Sequence, residues 1–272
     1  MIDLHTHTTC SDGGDTPVEL LKMAEALGLS AIAITDHDSV DAHKQLENVD
    51  IASIYGGTLV KGVELTSVYN GNTVHILGYN IDIDMIDAKM KKIDHDVISE
   101  FNIKYFEKKL IEWGVDHKYK SNRNYEFVNE TLEFIGKLPF HVDLSPGPNN
   151  VSKGSALFWR HMMNKSSPLH IDYTGIVTNA IDAINLIKEC GGKAILAHPA
   201  QYYEQTDEII QALLDKIDGI ECYHWSATPE YRDYLIKLCK KHNLIVTGGS
   251  DHHGDTLGSQ NVPTGLLNAV LS

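Results

Sequence analysis

A histidine pair, His5-Thr6-His7, closes the apolar opening Met1-Ile2-Asp3-Leu4, and a second cluster, Ser250-Asp251-His252-His253-Gly254, follows the apolar run Leu244-Ile245-Val246-Thr247. An extended strand sends residues i and i+2 to the same side, so His5 and His7 can close on one cation while Thr6 faces away. A mixed set of imidazoles and carboxylates suits Mn²⁺, Fe²⁺ or Zn²⁺ better than Mg²⁺. A His-x-His pair alone reads more readily as ordinary polar residues on a half-exposed strand. A carboxylate and further imidazoles at a second strand end make metal chemistry the stronger reading.

Short apolar runs and helical patterns alternate along the chain, and they are what must position these groups. Ile2 to Leu4 reads as a strand; Thr16-Pro17-Val18-Glu19 opens a helix with a Thr cap, Pro in the first turn and Glu three residues after the cap, and Gly28 ends it. Ala31 to Thr35 reads as a buried strand. The order recurs as a helix from Ile176 to Cys190, a strand from Lys193 to Ala197, a helix from Glu204 to Ile217, a strand from Gly219 to Tyr223, a helix from Thr228 to His242 and a strand from Leu244 to Thr247. Such alternation implies a parallel sheet or barrel. Residues 83–173 break it with a long helical stretch from Asp84 to Gly114, a polar segment and the loop Pro146-Gly147-Pro148-Asn149-Asn150. This reads as a helical lid, residues 83–173, inserted into a barrel made of residues 1–82 and 174–272.

Other strand ends repeat the chemistry. Asp12 follows the first strand, His37 lies in Thr35-Asp36-His37-Asp38, Glu64 follows Gly62-Val63, His75 lies in Thr73-Val74-His75-Ile76, and His198 lies in Ala197-His198-Pro199. In parallel α/β architectures the carboxyl ends of strands form the active-site face, so residues dispersed in sequence converge there. Asp36 and Asp38, flanking His37, read as groups that cap the next helix or orient ligands.

Composition narrows the partners. The 272 residues carry a formal net charge of -14, with no block of Lys or Arg able to follow a phosphate backbone, so a long nucleic acid is disfavoured and a small anion is not. The cysteines Cys10, Cys190, Cys222 and Cys239 are scattered and read as free thiols of a reducing compartment. No secretory leader and no run of membrane-spanning length is visible, which makes the cytoplasm the expected location and no membrane the expected partner. The oligomeric state is not readable.

In order along the chain, Asp3-Leu4-His5-Thr6-His7 through Asp12-Gly13, Ala33-Ile34-Thr35-Asp36-His37-Asp38, Gly62-Val63-Glu64, Ala197-His198-Pro199 and Gly249-Ser250-Asp251-His252-His253-Gly254 resemble the motifs of the PHP family, named for polymerase and histidinol phosphatase. The resemblance covers nearly everything outside the insertion and is nearest to small bacterial members acting on nucleotides and related phosphorylated metabolites. It implies a distorted (β/α)7 barrel and a two- or three-metal site, with Mn, Fe or Zn, hydrolysing phosphoesters. Carried over by position, it gives His5, His7, Glu64 and Asp251 to one ion, makes Glu64 a bridge to a second ion held by His75 and His198, and gives Asp12, His37 and His253 to a third. Glu64, Asp251 and His198 are then the residues nearest the reaction, in which a bridging water of lowered pKa attacks the phosphorus. Other readings are an exonuclease on short RNA, an amidohydrolase-like hydrolase of carbon-nitrogen bonds, and a non-catalytic metal-binding domain.

One departure bears on the substrate. Related nucleotide phosphatases place an arginine two residues after the His-Pro motif, whereas this chain has His198-Pro199-Ala200-Gln201, and an amide lacks the charge and the bidentate fork. Arg160, His161, Arg123, Lys153 and His141 are the cations that could replace it, Gln201 itself and His252 read as substrate-side residues, and Phe140, Phe158 and Trp159 read as lid core rather than a base platform.

Overall fold

Local sequence rules account for most of the elements of the computed structural model, which describes residues 1–93, 95–120 and 124–272. The strands are β1 (Ile2–Asp3), β2 (Ala31–Ile34), β3 (Thr58–Tyr69), β4 (Asn72–Tyr79), β5 (Thr178–Asn179), β6 (Lys193–Leu196), β7 (Gly219–Tyr223) and β8 (Ile245–Gly248). The helices are α1 (Pro17–Ala26), α2 (Asp41–Leu46), α3 (Ile83–Lys89), α4 (His95–Glu112), α5 (Asn124–Phe134), α6 (Ser155–Met163), α7 (Ala180–Glu189), α8 (Thr206–Leu213), α9 (Pro229–His242) and α10 (Leu267–Leu271). Thr16 and Glu19 form the reciprocal capping box of α1, worth about 1 kcal/mol over an uncapped end. Thr228 caps α9, and Asn243, in the left-handed conformation, ends it.

One sheet runs β1-β2-β3-β4-β6-β7-β8, with β5 paired to β3. Its ends meet: the Leu4 N–H donates to Gly248 O at 3.2 Å, the His7 N–H to His252 O at 2.9 Å, and Thr6 bridges His252 in parallel. The result is a distorted barrel, with Leu4, Leu77, Tyr79, Ile195 and Ala197 buried together. A second layer of apolar side chains, from Val63 and Ile76 out to Ile184, Ile209 and Leu235, packs α7, α8 and α9 onto it.

The all-parallel expectation needs correction at β4, which runs antiparallel to both β3 and β6. The cause is a two-residue hairpin between Tyr69 and Asn72, in which Asn70 and Gly71 both take positive φ, the conformation that Asn-Gly sequences favour. His75 therefore stands in the first half of its strand, yet at the same end of the barrel as the residues that follow β1, β2 and β6.

The stretch from Asp84 to Gly114 is two helices rather than one, because Met90 turns extended and buries against the barrel, beside Ile83 and Ile86 of α3. Helix α7 begins at Ala180 rather than near Ile176, since residues 178–179 pair with β3 and the Asn179 side chain caps the helix at the Ile181 N–H. Ahead of α8, the segment Pro199–Gln205 is a kinked 3-10 turn, with Tyr203 at φ 51°.

Within residues 83–173, Phe106, Leu110, Phe127, Phe158, Met162 and Leu169 form their own core, which reaches the barrel at Val68 and Val177. Phe158 is buried there, and Phe140 and Trp159 pack against the same cluster. The segment around Asn150 is fastened to the loops at the mouth of the barrel: Asn150 Nδ2 donates to Ala200 O at 2.7 Å, the Val151 N–H to Ser226 O at 3.0 Å, and the Thr228 N–H to Asn149 O at 3.1 Å. His170 Nε2 reaches Gly71 O at 2.6 Å on the β3–β4 hairpin. Among the described residues, no helix is long and apolar enough to cross a membrane.

Candidate metal centre

The structure brings His5, His7, Asp12, His37, Glu64, His75, His198, Asp251 and His253 to one end of the barrel. Glu64 is the hub. Its Oε2 lies 3.0 Å from His5 Nε2, 3.3 Å from His7 Nε2 and 3.4 Å from His37 Nδ1, while its Oε1 lies 3.0 Å from His198 Nε2 and 3.2 Å from His75 Nδ1. Asp251 Oδ1 closes the first set at 3.2 Å from His7 Nε2 and 3.5 Å from His5 Nε2. On the open side, Asp12 Oδ2 lies 3.3 Å from His253 Nε2 and 4.0 Å from His37 Nε2. The resemblance assigns each histidine to a single group, whereas here His7 faces both Glu64 and Asp12, and His37 faces both Asp12 and Glu64.

These residues fit divalent cations. His7 Nδ1, His7 Nε2, His37 Nδ1 and His75 Nδ1 are buried without a hydrogen-bond partner, which costs roughly 1–3 kcal/mol each unless another ligand takes the lone pair. They converge on carboxylate oxygens at the spacing of donors around one small ion, and nitrogen with carboxylate oxygen is a donor set for Mn²⁺, Fe²⁺ or Zn²⁺. His198 and Asp251 take positive φ, of 26° and 53°, where their strands turn into the site, a strained conformation typical of functional positions.

Charge is balanced around the cluster. Burial alone would raise the Glu64 and Asp251 carboxyls, but the surrounding imidazoles outweigh it and hold both well below the usual range, as anions. Burial would lower His7, yet the Asp251 and Glu64 carboxylates, 3.2 and 3.3 Å from Nε2, push it up to about 10; His5 is likewise raised, against burial, by Glu221, Glu64 and Asp251. His37 falls to about 3 through burial, with His7 and His75 adding repulsion, and burial lowers His198 as well. In the metal-free protein, a proton on His7 occupies a lone pair that a cation would take.

Close backbone approach fixes the frame. A Cβ on Gly249 would lie 2.3 Å from His5 N, so only glycine lets β8 deliver Asp251 beside β1. Asp36 accepts from the Thr8 N–H at 2.7 Å and from Ser11 Oγ at 2.6 Å, which ties down the loop carrying Asp12. Asp38 Oδ1 accepts from the Thr66 N–H at 3.0 Å.

The substrate-side residues divide. Arg160 of α6 is fully buried and lines one cavity with Gln201, Asn72, Thr73 and Tyr202. His252 needs correction as a substrate-side residue: its Nδ1 accepts from the Thr256 N–H at 3.2 Å and its Nε2 donates to Asp15 at 2.9 Å, so both nitrogens are spent away from the cluster. His141 and Lys153 are exposed, and neither makes a hydrogen bond or ion pair with the metal-centre residues; Arg123 lies outside the described residues. His161 is held by Asp143 O at 2.8 Å and by Ser167.

Two residues of the centre escape a reading by motif. Glu221, mid-strand in β7, places Oε1 2.9 Å from His5 Nδ1 and accepts the His198 N–H on Oε2 at 2.8 Å. His224, just past β7, lies 3.3 Å from Asp251 Oδ2. The signals were a lone carboxylate inside an otherwise apolar strand and one more imidazole at a strand's carboxyl end.

Comparison with known proteins agrees with this geometry. Residues 3–125 match the PHP domain. The chain is 28% identical to the 5'-3' exoribonuclease Rnm of Escherichia coli, across 92% of this chain and 84% of the relative. It is 27% identical to the phosphoribosyl 1,2-cyclic phosphate 1,2-diphosphodiesterase of Eggerthella lenta, across 93% and 94%. A solved structure from Bifidobacterium adolescentis, described as a candidate metal-dependent phosphoesterase, shares the fold with a TM-score of 0.69 over 99% of this chain and 95% of that one, at 22% identity. The chain thus carries a PHP domain over residues 3–125 and shares the fold of a solved structure described as a candidate metal-dependent phosphoesterase. The relatives so matched are named for the cleavage of phosphoester bonds.

Proposed function

We propose that this enzyme hydrolyses a phosphoester of a small phosphorylated metabolite, a nucleotide, nucleoside bisphosphate, sugar phosphate or cyclic diester, at two or three divalent cations held by His5, His7, Asp12, His37, Glu64, His75, His198, Asp251 and His253. Bound cations neutralise phosphoryl oxygens and bring the pKa of water towards neutrality. The protein then has to hold the phosphate against them and exclude bulk water.

The observation that carries the reading is Arg160. Its guanidinium is buried, and among the described residues it has no carboxylate partner. Nη1 donates to Asn150 Oδ1 at 2.8 Å, Nη2 donates to Ser152 Oγ, and Nε has no partner. Burial lowers its pKa only to about 10, so it stays charged at neutral pH. The rings of Tyr203 and Trp225, 6.0 and 5.8 Å from the guanidinium, stabilise it only in part, and a phosphate would match its planar fork and supply the missing ion pair. Arg160 shares its cavity with Gln201, so residues 83–173 supply from outside the barrel a charge that the loop after β6 does not carry.

The fastening of residues 149–151 to the loops after β6 and β7 makes the insertion a lid that favours a small substrate. Similarity to an exoribonuclease keeps short RNA as the second reading, whereas the net charge of -14 argues against long duplexes. The test is phosphate release by the Mn²⁺-loaded protein from nucleotides, nucleoside bisphosphates, sugar phosphates, cyclic phosphates and short oligonucleotides. Turnover of the small esters supports the proposal. Stepwise shortening of oligonucleotides with the small esters untouched establishes the nuclease instead.

A further inference from the structure

Strand β7 carries none of the nine metal-centre residues, yet one side chain within it and one just past it touch three of them. Glu221 is fully buried and joins two ligand sets at once, taking the His5 ring on Oε1 and the His198 backbone N–H on Oε2. His224 is 3% exposed and is pinned by Ser226: the Ser226 N–H lies 3.2 Å from Nδ1, and Ser226 Oγ lies 2.7 Å from the same nitrogen.

We propose that Glu221 and His224 are positioning residues that decide which nitrogen of His5 and which oxygen of Asp251 face the cations; the inference rests on the metal reading above. An ionised carboxylate only accepts, so His5 carries a proton on Nδ1, which leaves Nε2, 3.0 Å from Glu64 Oε2, as the nitrogen a cation would take. A backbone N–H only donates, so His224 Nδ1 is an acceptor and its proton sits on Nε2, where it is given to Asp251 Oδ2. That leaves Asp251 Oδ1 for the side where His5 and His7 converge. A carboxylate or similar group behind a metal-bound histidine fixes its tautomer and raises its basicity. Here one carboxylate also holds the backbone of a second histidine, His198, whose φ of 26° needs external support.

The arrangement makes a near-isosteric change informative. In Glu221→Gln, the His198 N–H still requires an acceptor, so the amide oxygen stays there and the amide NH₂ turns to His5. That NH₂ donates, His5 Nδ1 must accept, and the proton of His5 moves to Nε2, which blocks that nitrogen as a ligand. The ion seen by His5, His7 and Asp251 should be weakened, whereas Glu64, His75 and His198 keep their donors.

The experiment uses the full chain. Mn²⁺ binding by equilibrium dialysis, apo-protein melting and ¹⁵N histidine spectra of the apo form are compared for wild type, Glu221→Gln and His224→Phe. We expect one ion per chain of Glu221→Gln to bind about 10- to 100-fold more weakly, the remaining ions to keep their affinity, the melting temperature to hold, and the His5 proton to appear on Nε2. His224→Phe should weaken the same ion. Unchanged affinity in Glu221→Gln would overturn the proposal. So would loss of every ion together with a fall in apo melting temperature, which assigns Glu221 to the fold alone. Failure of the wild type to bind any divalent ion would instead strike the metal reading itself.

Discussion

Glu64→Gln removes the one negative charge shared by both halves of the metal centre. Five imidazole nitrogens lie within 3.0 to 3.4 Å of its two oxygens, from His5, His7 and His37 on one and His75 and His198 on the other. Glutamine keeps the shape but replaces one oxygen by an NH₂ that points donors at lone pairs needed for the cations. Removing one partner of a buried charge pair costs roughly 3–5 kcal/mol. At about 1.4 kcal/mol per tenfold, metal affinity should fall by roughly a hundred- to several-thousand-fold. Elemental analysis after dialysis should find the variant depleted of metal, and turnover of the best substrate should become undetectable at the metal concentration that saturates wild type. Whichever oxygen is replaced, one of the two sets is affected directly. Near-wild-type activity with full metal content would show that Glu64 is structural and would refute the bridging role.

Further outcomes are expected. His7 holds a proton in the metal-free protein and must release it on binding, so cation affinity should rise with pH between 6 and 8, about tenfold per unit for the proton displaced; calorimetry showing pH-independent binding would mean this ring is neutral beforehand. Arg160→Met should raise KM for a phosphate-bearing substrate by roughly ten- to a hundredfold, since a charged hydrogen bond contributes about 1.5–3 kcal/mol, and an unchanged KM would remove Arg160 from the phosphate site. Gln201→Arg should improve KM for nucleoside phosphates, or improve them while impairing a native substrate that places a hydroxyl or cyclic diester there; kinetics unchanged for every ester would withdraw Gln201 altogether. Gly249→Ala forces a methyl to within 2.3 Å of His5 N and should destabilise the fold by at least about 1–3 kcal/mol with loss of metal; a normal melting curve with full metal content would show that β1 and β8 can part without harm.

Much of this enzyme was legible from local chemistry. Ligand-type residues at successive strand ends, the Thr16-Pro17-Glu19 cap and the alternating pattern follow from period-two strands, 3.6-residue helices and capping, all of which act over a few residues. Those rules put ligand-type side chains at one end of a sheet or barrel, where the structure has them. The antiparallel β4 was written in Asn70-Gly71 but is hidden by a reading that follows only strand-helix alternation. Long-range packing decided the rest. His252 looked like a site residue because its neighbours are, yet the turn after β8 aims it at Asp15. Arg160 is one cation among several in the sequence, and only the folding of α6 against the loops after β6 and β7 buries it beside Gln201. Glu221 reads as a lone carboxylate in an apolar strand until β1 and β6 bring His5 and His198 to its two oxygens, because a buried charge gains its meaning from partners that are remote in sequence and adjacent only in the closed barrel.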